Sequence, residues 1–403
     1  MFGAALCFWS SLTILLPTLP LYIEARGATQ QQVGLVMGSF AIGLLLTRGL
    51  FGRWADEHSR KRVLLIGTVM VGLAPLGYSL AHSLALLMVL RAAHGLSIAG
   101  FTTGYSSLVI DLAPRSQRGE ILGYMTLVIP FGMALGPAIG SGLEQEYGFG
   151  MVFAVAGGLG LLAFTGISLV REAPHAIPDA AENRTSPALL QTLLGTYLEQ
   201  LTHGRRLQIP ALVLMLAGMV FGTLIAFLPA YARDSPVSIN TGLFYTAVAI
   251  ASFTVRVVAG KASDRIGRGL FITGSLILYV LSMILLAIAT EPLHFILAAL
   301  AEGAAAGILL PMMIALVADR TPAHQRGQAY AVCVGGFDLG IALGGPIMGS
   351  LVTVWGYRGA FGTSAAVATL GLLVFLTQSS PRPGRSLRFA FGRSHDEYAQ
   401  AGS

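Results

Sequence analysis

The sequence GRWADEHSRKR, residues 52–62, carries four arginine or lysine side chains between two long apolar segments. The segment before it, VGLVMGSFAIGLLLT (33–47), has no charged residue, and none occurs from Val63 to Leu90. Further uncharged runs approach or exceed the roughly 20 residues that a helix needs to cross a bilayer. They lack the period-two alternation of a membrane barrel strand. The sequence therefore predicts an all-α membrane protein with many spans.

The composition of the 403 residues supports this prediction. Hydrophobic residues make up 54% of the chain and charged residues only 11%, whereas soluble domains carry about 25% charged residues. The two cysteines, Cys7 and Cys333, lie in apolar runs, and we interpret them as small packing residues. The first apolar run is long enough to span and lacks a basic flank, so we expect a span and no cleavable signal peptide.

The alternation of apolar and polar segments predicts twelve transmembrane helices. They lie approximately at 2–22, 32–54, 63–81, 84–110, 120–142, 149–170, 209–231, 238–259, 270–289, 293–317, 327–352 and 357–378. One alternate set of loops then holds 19 of the 25 basic residues, against three on the other side. The positive-inside rule makes the basic loops cytoplasmic, so both termini are expected in the cytoplasm. The expected location is a cell membrane, such as a bacterial inner membrane.

The polar segment 171–208 separates six predicted spans from six. We interpret it as a cytoplasmic linker with a short amphipathic helix near 187–202. The expected domains are an N-terminal six-helix bundle at 1–170 and a C-terminal six-helix bundle at 209–378, followed by a cytoplasmic tail at 379–403.

The sequence repeats itself at an offset of about 208 residues. TRGLFGRWADEHSR (47–60) falls on VRVVAGKASDRIGR (255–268), and DLAPRSQRGE (111–120) falls on DRTPAHQRGQ (319–328). An offset of 209 places LPLY (19–22) on LPAY (228–231). Because six spans are an even number, both copies insert in the same orientation. The halves are therefore expected to be related by a parallel pseudo-two-fold axis along the membrane normal.

At these residues the chain resembles the major facilitator superfamily, over essentially its whole length. The stretch 52–62 is similar to that family's signature loop between the second and third spans. The matching positions are Gly52, Asp56, Arg60 and Lys61, and in the second copy Gly260, Asp264 and Arg268. A glycine such as Gly52 is expected to let two helices approach closely, and the basic residues to anchor the loop.

The resemblance also implies a conformational latch. A carboxylate interacts favourably with the N-terminus of a facing helix. The family implies that Asp56 meets the start of span 11 near Gly327. By the repeat, Asp264 meets the start of span 5 near Gly119.

A glycine-rich segment is similar to one typical of the family's drug:proton antiporters. GYMTLVIPFGMALGPAIGS (123–141) contains Gly132, Gly136, Pro137 and Gly140 at that branch's spacing, with Ser141 in place of its final glycine. Glycines three or four apart form a smooth groove on a helix. The proline weakens the backbone ladder and permits a pivot. This resemblance favours export over uptake.

The segment LRAAHGLSIAG (90–100) resembles the fourth-span arginine motif of the same branch, which often has glutamine where His94 stands. Arg91 and His94 lie on one helical face. A charged arginine deep in a span is costly, so we expect Arg91 to face a wet cavity or a carboxylate, or to form a structural salt bridge between the halves.

Only two acidic residues, Glu302 and Asp338, fall deep inside predicted spans. Intramembrane carboxyls commonly mark proton relays or substrate pathways, so both are candidates for proton coupling or substrate contact. The alternative is that each is a fixed partner of a buried arginine. At an offset of 209, Ala93 falls on Glu302, which places Glu302 and Arg91 at nearly corresponding positions. Aromatic residues that are weaker candidates for the wall of an apolar cavity are Phe8, Trp9, Phe40, Phe221, Phe227 and Phe337.

These features predict a secondary active transporter, with proton-coupled export of small apolar or amphipathic molecules by alternating access. The alternative is a proton-coupled uptake symporter for a sugar or organic acid, which requires more polar residues deep in the spans. A membrane enzyme using His94 with Asp338 or Glu302 lacks a nucleophile motif. No P-loop and no metal-ligand spacing occurs. We therefore expect no catalysis, cofactor or metal, and a monomer whose partners are a small-molecule substrate, protons and the lipid bilayer, with no nucleic acid.

Overall fold

The computed structural model describes residues 1–114, 117–172, 205–237, 239–322 and 325–399. These residues form helices and contain no strand. The helices are α1 (Phe2–Thr13), α2 (Leu19–Ala25), α3 (Gln30–Glu57), α4 (Arg60–Leu80), α5 (Leu84–Leu112), α6 (Arg118–Thr126), α7 (Val128–Ser168), α8 (Arg205–Asp234), α9 (Thr241–Ile266), α10 (Arg268–Ala287), α11 (Pro292–Asp319), α12 (Arg326–Gln378) and α13 (Pro383–Ala390).

Within the described residues, nine helices are long and apolar enough to cross a membrane. The two longest, α7 and α12, are each interrupted by one glycine with a positive φ, 75° at Gly148 and 68° at Gly356. Glycine adopts this conformation without the steric cost that a Cβ imposes. Each long helix is therefore two helical segments that meet at a bend, at the loops predicted between 142 and 149 and between 352 and 357.

The first predicted span, 2–22, is wrong as a single helix. The structure has α1 ending at Thr13 and α2 beginning at Leu19. Pro17 lies between them, and a proline inside a helix removes a backbone hydrogen bond and clashes with the preceding turn. Pro20 lies in the first turn of α2, where proline is tolerated because the N–H has no intrahelical partner there.

The charged stretch 52–62 is almost wholly helical. Helix α3 continues to Glu57 and α4 begins at Arg60, so the connection is only two residues long. Ser59 caps α4, because its hydroxyl accepts a hydrogen bond from the Arg62 N–H at 3.1 Å. The amphipathic helix predicted near 187–202 lies outside the described residues.

The described residues form two compact units. The first unit contains those of 1–186 together with 240–246, and the second contains those of 187–239 and 247–403. In the first unit α1 packs on α7 and α5 packs on α3 and α4. In the second unit α8 packs on α12 and α10 packs on α11.

One tyrosine hydrogen bond occurs in both units. The Tyr22 hydroxyl donates to the backbone carbonyl of Tyr78 at 2.7 Å in the first unit. The Tyr231 hydroxyl donates to the carbonyl of Leu286 at 3.0 Å in the second. The two donors are 209 residues apart and the two acceptors 208.

One ion pair also recurs, at an offset of 208 residues. Arg60 at the start of α4 pairs with Asp111 near the end of α5. Arg268 at the start of α10 lies with Nη1 3.0 Å from Oδ2 of Asp319 at the end of α11. Each pair joins two consecutive spanning helices at the same end.

Candidate functional site

A close helix contact that occurs once in each unit shows which residues of the two units are equivalent around the candidate residues. A Cβ added at Gly95 on α5 would lie 2.0 Å from the carbonyl oxygen of Phe40 on α3. A Cβ added at Gly303 on α11 would lie 2.2 Å from the carbonyl oxygen of Val248 on α9. Both members of the contact are 208 residues apart, and only glycine allows the two backbones to approach this closely.

His94 and Glu302 directly precede these two glycines, so they occupy equivalent positions in the two units. The offset of 209 that placed Ala93 at Glu302 is wrong in this region. The offset is 209 at LPLY (19–22) and 208 at Phe40, because the second copy has one residue fewer between these two positions.

His94 is fully buried in the first unit. Its Nδ1 lies 2.9 Å from the Tyr78 hydroxyl and 3.5 Å from Nη1 of Arg91. A guanidinium group only donates hydrogen bonds. We therefore assign Nδ1 as the acceptor and place the hydrogen of the neutral ring on Nε2. Nε2 has no hydrogen-bond partner among the described residues.

Arg91 is 4% exposed, as expected of a residue inside a span. Its Cζ lies 4.4 Å from the centroid of the Phe40 ring, which is a cation–π contact. The aromatic face and the imidazole of His94 are its neighbours. The salt bridge expected between the halves stays a prediction.

Glu302 lies ten residues into α11 and is 1% exposed. Both of its carboxylate oxygens are buried without a hydrogen-bond partner among the described residues. Tyr279 on α10 interacts electrostatically with both Glu302 and Arg256. An unpaired buried carboxyl is costly to a fold. It is therefore a group that calls for a functional explanation, such as taking up a proton or contacting a cationic group.

Asp338 lies in α12 and is 3% exposed. The ring of its neighbour Phe337 lies 5.9 Å from that of Phe221, and both rings are half-buried. Trp9 and Phe40 are half-buried as well.

Two of the predicted cavity aromatics, Phe8 and Phe227, have no exposed surface. Phe8 stacks on Phe101 at a centroid distance of 3.8 Å inside a hydrophobic core of the first unit. Its place in the structure is therefore that of a core residue.

The glycines of the predicted groove on α7 lie close to α1. A Cβ at Gly136 would lie 2.1 Å from the Thr13 hydroxyl oxygen, and one at Gly140 would lie 2.2 Å from the carbonyl oxygen of Ile14. Gly132 is equally tight against α1. The three glycines therefore form the surface into which α1 packs, with Pro137 inside the same helix.

The residues predicted to form a latch have mixed outcomes. No described atom lies within 4 Å of a Cβ position at Gly52, so the expected close helix contact is not found there. Lys61 donates from Nζ to the carbonyl of Ser168 at 2.8 Å. The side chains of Asp56 and Asp264, and the surroundings of Gly260, lie outside what the structure describes. The latch therefore stays a prediction.

Sequence reasoning missed several partners of these residues. Tyr78 and Tyr279 were not selected, although each is a polar aromatic residue within an otherwise uncharged run. The aspartates that pair with Arg60 and Arg268 were visible, because Asp111 and Asp319 align in the repeat.

Long apolar helices with ionisable side chains buried inside them define an α-helical membrane protein of the transporter class. The chain belongs to the Major Facilitator Superfamily, whose family model matches residues 1–269 and again residues 211–394. It is therefore a membrane transporter.

Two relatives illustrate the range of similarity. An uncharacterized MFS-type transporter of Methanocaldococcus jannaschii is 24% identical over 363 residues, which cover 89% of this chain and 92% of that protein. The quinolone resistance protein NorA of Staphylococcus aureus is 29% identical over 177 residues, which cover 44% of this chain and 45% of NorA.

Solved structures share the fold. The nucleoside transporter NupG, as its D323A mutant, superposes with a TM-score of 0.77 and covers 94% of this chain and 97% of its own. Its sequence identity is 16%, so the similarity concerns the fold alone.

Proposed function

We propose that this protein is a proton-coupled exporter of small apolar or amphipathic molecules. The observation that carries the proposal is Glu302, a carboxyl buried in an apolar helix with both oxygens unpartnered in the described residues. Intramembrane carboxyls of this kind typically carry protons or contact cationic substrates. Export is supported by the antiporter-like spacing of Gly132 to Gly140 and by the similarity to NorA, which is a resistance protein. The chain spans less than half of NorA's length, so the activity of NorA supports this proposal only as an analogy.

We infer that the chain has twelve spans in two six-span halves. Nine helices are long enough to span, α7 and α12 each contribute a second segment after Gly148 and Gly356, and α1 with α2 forms one more. The tyrosine hydrogen bond, the arginine–aspartate pair and the glycine contact that recur at offsets of 208 or 209 support a parallel repeat. Two such halves provide the parts for alternating access.

Within this scheme Glu302 and Asp338 couple protons or contact the substrate, and Arg91 with His94 forms the matching polar site of the first half. The helix with Pro137 serves as a pivot, and Asp56 and Asp264 serve as latches. The halves correspond to 1–170 and 209–378, with a cytoplasmic linker and tail at 171–208 and 379–403. The protein acts as a monomer in a bacterial inner membrane with both termini cytoplasmic.

The direction of flux tests the proposal. Purified protein in proteoliposomes is given a fluorescent quinolone and a proton gradient of either sign, with protein-free vesicles as the control. Antiport predicts accumulation when the lumen is acidic, whereas symport predicts accumulation when the outside is acidic. Accumulation under outside acid alone would replace export by the uptake alternative.

The variant Asp338→Asn sharpens the same assay. We expect it to lose gradient-driven accumulation while keeping exchange of labelled for unlabelled substrate at equal pH, because the binding site remains and one of the two proposed coupling acids is gone. Full gradient-driven accumulation by this variant would exclude Asp338 as a coupling acid.

A further inference from the structure

The residues after the last spanning helix fold back onto the second unit through one buried arginine. The Arg320 side chain has no exposed surface, and its Nε and Nη2 lie 2.7 Å and 3.0 Å from the two carboxylate oxygens of Asp396. Nη2 also donates to the carbonyl of Ser379 at 2.8 Å, and the guanidinium lies 5.1 Å from the ring centroid of Tyr398. A bidentate, charge-assisted contact of this kind fixes orientation as well as position.

Among the described residues, the position of the first unit that is equivalent to Arg320 does not hold an arginine. The residue equivalent to Arg320 at an offset of 208 is Leu112, which is 44% exposed. The arginine is therefore a feature that the second unit has and the repeat does not require. Its guanidinium donates to Asp396 in the tail and to the backbone carbonyls of Arg206 and Ser379.

One side of α13 is fixed against the first turns of α10. Ala390 accepts a hydrogen bond through its carbonyl from the Thr273 hydroxyl at 2.9 Å. A Cβ at Gly269 would lie 2.1 Å from the carbonyl oxygen of Phe389, so only glycine admits the short helix there. Phe389 and Ala390 are buried, and the rotation of α13 about its own axis is thereby determined.

An adjacent side of α13 and the residue that ends it expose two large apolar side chains. Leu387 and Phe391 are four residues apart, which places them on one side, and they are 43% and 49% exposed. Gly392, in a left-handed conformation with φ 68°, packs next to Ile266 and Leu270. Those two residues are also exposed, so the patch extends from α13 onto the end of α9 and the start of α10.

This patch continues an exposed apolar stripe of a spanning helix. The exposed apolar residues of α10 and its C-terminal end follow one stripe, Leu270, Ile277, Leu281, Ile284 and Ile288. An apolar stripe on a membrane span contacts acyl chains. Leu270 is the end of that stripe nearest α13, which places Leu387 and Phe391 at the boundary between acyl chains and headgroups.

Positive charge surrounds the same patch. Residues 382–393 contain Arg382, Arg385, Arg388 and Arg393 and no acidic residue. Arg385 is paired with Glu397, and the other three project from the exposed part of the segment. Basic side chains that flank an apolar face are typical of helices that bind anionic membrane surfaces.

We propose that residues 382–393 are a binding surface for anionic phospholipid. Leu387 and Phe391 insert at the boundary of the acyl chains, and Arg382, Arg388 and Arg393 contact the phosphates. The Arg320–Asp396 contact holds the segment at the correct depth and rotation. With the orientation proposed above, the lipids are those of the cytoplasmic leaflet.

The test measures whether two positions of the tail contact lipid or water in the full-length protein. In a Cys7→Ala/Cys333→Ala background, a fluorophore is attached to Phe391→Cys or, as the matched control on the same tail, to Ser394→Cys. Each protein is reconstituted in vesicles of phosphatidylcholine with or without phosphatidylglycerol. Quenching by spin-labelled lipid and by aqueous iodide is measured for both.

We expect the label on Phe391→Cys to be quenched by spin-labelled lipid and protected from iodide, more strongly when phosphatidylglycerol is present. The label on Ser394→Cys should be quenched by iodide in both vesicles. Added salt and the double change Arg382→Gln/Arg388→Gln should remove the effect of phosphatidylglycerol, because both weaken the phosphate contacts. Asp396→Asn should make the label on Phe391→Cys accessible to iodide as well, because the contact with Arg320 no longer fixes the segment.

Two results would overturn the proposal. Equal iodide quenching at both positions in both vesicles would mean that the exposed side of α13 faces water. Protection of the label on Phe391→Cys that is the same in both lipids and insensitive to the arginine changes would mean apolar burial without recognition of anionic headgroups. A symmetric size-exclusion peak of each labelled protein before reconstitution distinguishes these results from a general loss of folding.

Discussion

The two units repeat their backbone contacts but differ in chemistry at one equivalent position. In the first unit His94 has hydrogen-bonding neighbours in Tyr78 and Arg91. In the second unit Glu302 stands at the same place beside the same kind of glycine contact, and its two oxygens have no hydrogen-bond partner among the described residues. The comparison teaches that the packing glycines preserve the scaffold while the neighbouring residue is free to take a different role.

The start of the third spanning helix of each unit shows a second difference. In the first unit the Glu172 carboxylate accepts from the Ser59 hydroxyl at 2.7 Å and from the Lys61 N–H at 3.2 Å, at the N-terminus of α4. A carboxylate there interacts favourably with the helix dipole. In the second unit the chain instead continues into α13, and Thr273 bonds to Ala390. Among the described residues, the start of this helix thus contacts the Glu172 side chain in the first unit and a short helix in the second.

The largest expected effect comes from replacing Glu302, the position at which the two units differ in chemistry, by a residue that cannot ionise. Coupling between two ligands of one protein typically changes affinity by about 5- to 150-fold. We expect Glu302→Gln to reduce the ratio of substrate affinities at low and high pH from a value in that range to about one. His94→Gln should keep most of the ratio, because glutamine preserves a hydrogen-bonding group next to Tyr78. Substrate binding to detergent-purified protein across pH measures both.

The matched control is Glu146→Gln, the same chemical change at an exposed position near the bend in α7. It should leave the pH dependence intact. If His94→Gln abolished the dependence and Glu302→Gln did not, the roles assigned to the two units would have to be exchanged.

The next largest effect concerns the contact that both units share. Gly95→Val and Gly303→Val each force a side chain against a carbonyl oxygen that would lie 2.0 Å or 2.2 Å from the new Cβ. Overpacking of this kind costs roughly 1–3 kcal/mol. We expect both variants to unfold at lower temperature, and by similar amounts if the scaffold is equivalent. Thermal unfolding followed by an intrinsic or thiol-reactive fluorophore measures the shift.

Gly274→Val is the control, because no described atom lies within 4 Å of its Cβ position. It should shift the unfolding temperature much less than the other two. A large loss at Gly95 with none at Gly303 would show that the two contacts are not equivalent in energy, whatever their geometry.

The sequence predicted the helical class, and the two acidic candidates inside predicted spans are buried. The depth of Glu302 and Asp338 follows from counting along uncharged runs, and both are nearly inaccessible. The groove of Gly136 and Gly140 follows from glycine spacing, because small residues at that period align on one side of a helix. These are one-dimensional features, and the period of a helix is sufficient to interpret them.

Other features depended on which helices meet, which no single run reveals. The approach of Tyr78 to His94 joins two helices and has no local signature. The offset of 209 taken from LPLY matches Glu302 to Ala93 instead of His94, because the offset changes by one residue between LPLY and this region. The break at Pro17 was visible as a proline, but the apolar composition around it favoured one continuous span.

The smallest expected effect concerns the stretch 52–62 and completes the comparison of the units. A carboxylate at a helix N-terminus contributes about 0.3–1 kcal/mol when exposed and up to about 2 kcal/mol when partly buried. We expect Asp56→Asn and Asp264→Asn each to shift the conformational equilibrium by that amount, at about 1.4 kcal/mol per factor of ten. Both shifts should favour the inward-open state, because each carboxylate holds the inner side closed in the proposed scheme. Maleimide labelling of Gln325→Cys, near the start of α12, measures the shift in the background without native cysteines.

Glu57→Gln is the control. The Glu57 Oε1 atom lies 3.6 Å from Nε of Arg53 in an exposed ion pair, and such pairs contribute little to stability. If Asp56→Asn changes neither labelling nor transport while Asp264→Asn changes both, the latch belongs to the second copy alone. The charged stretch in the first copy would then serve only to orient its loop.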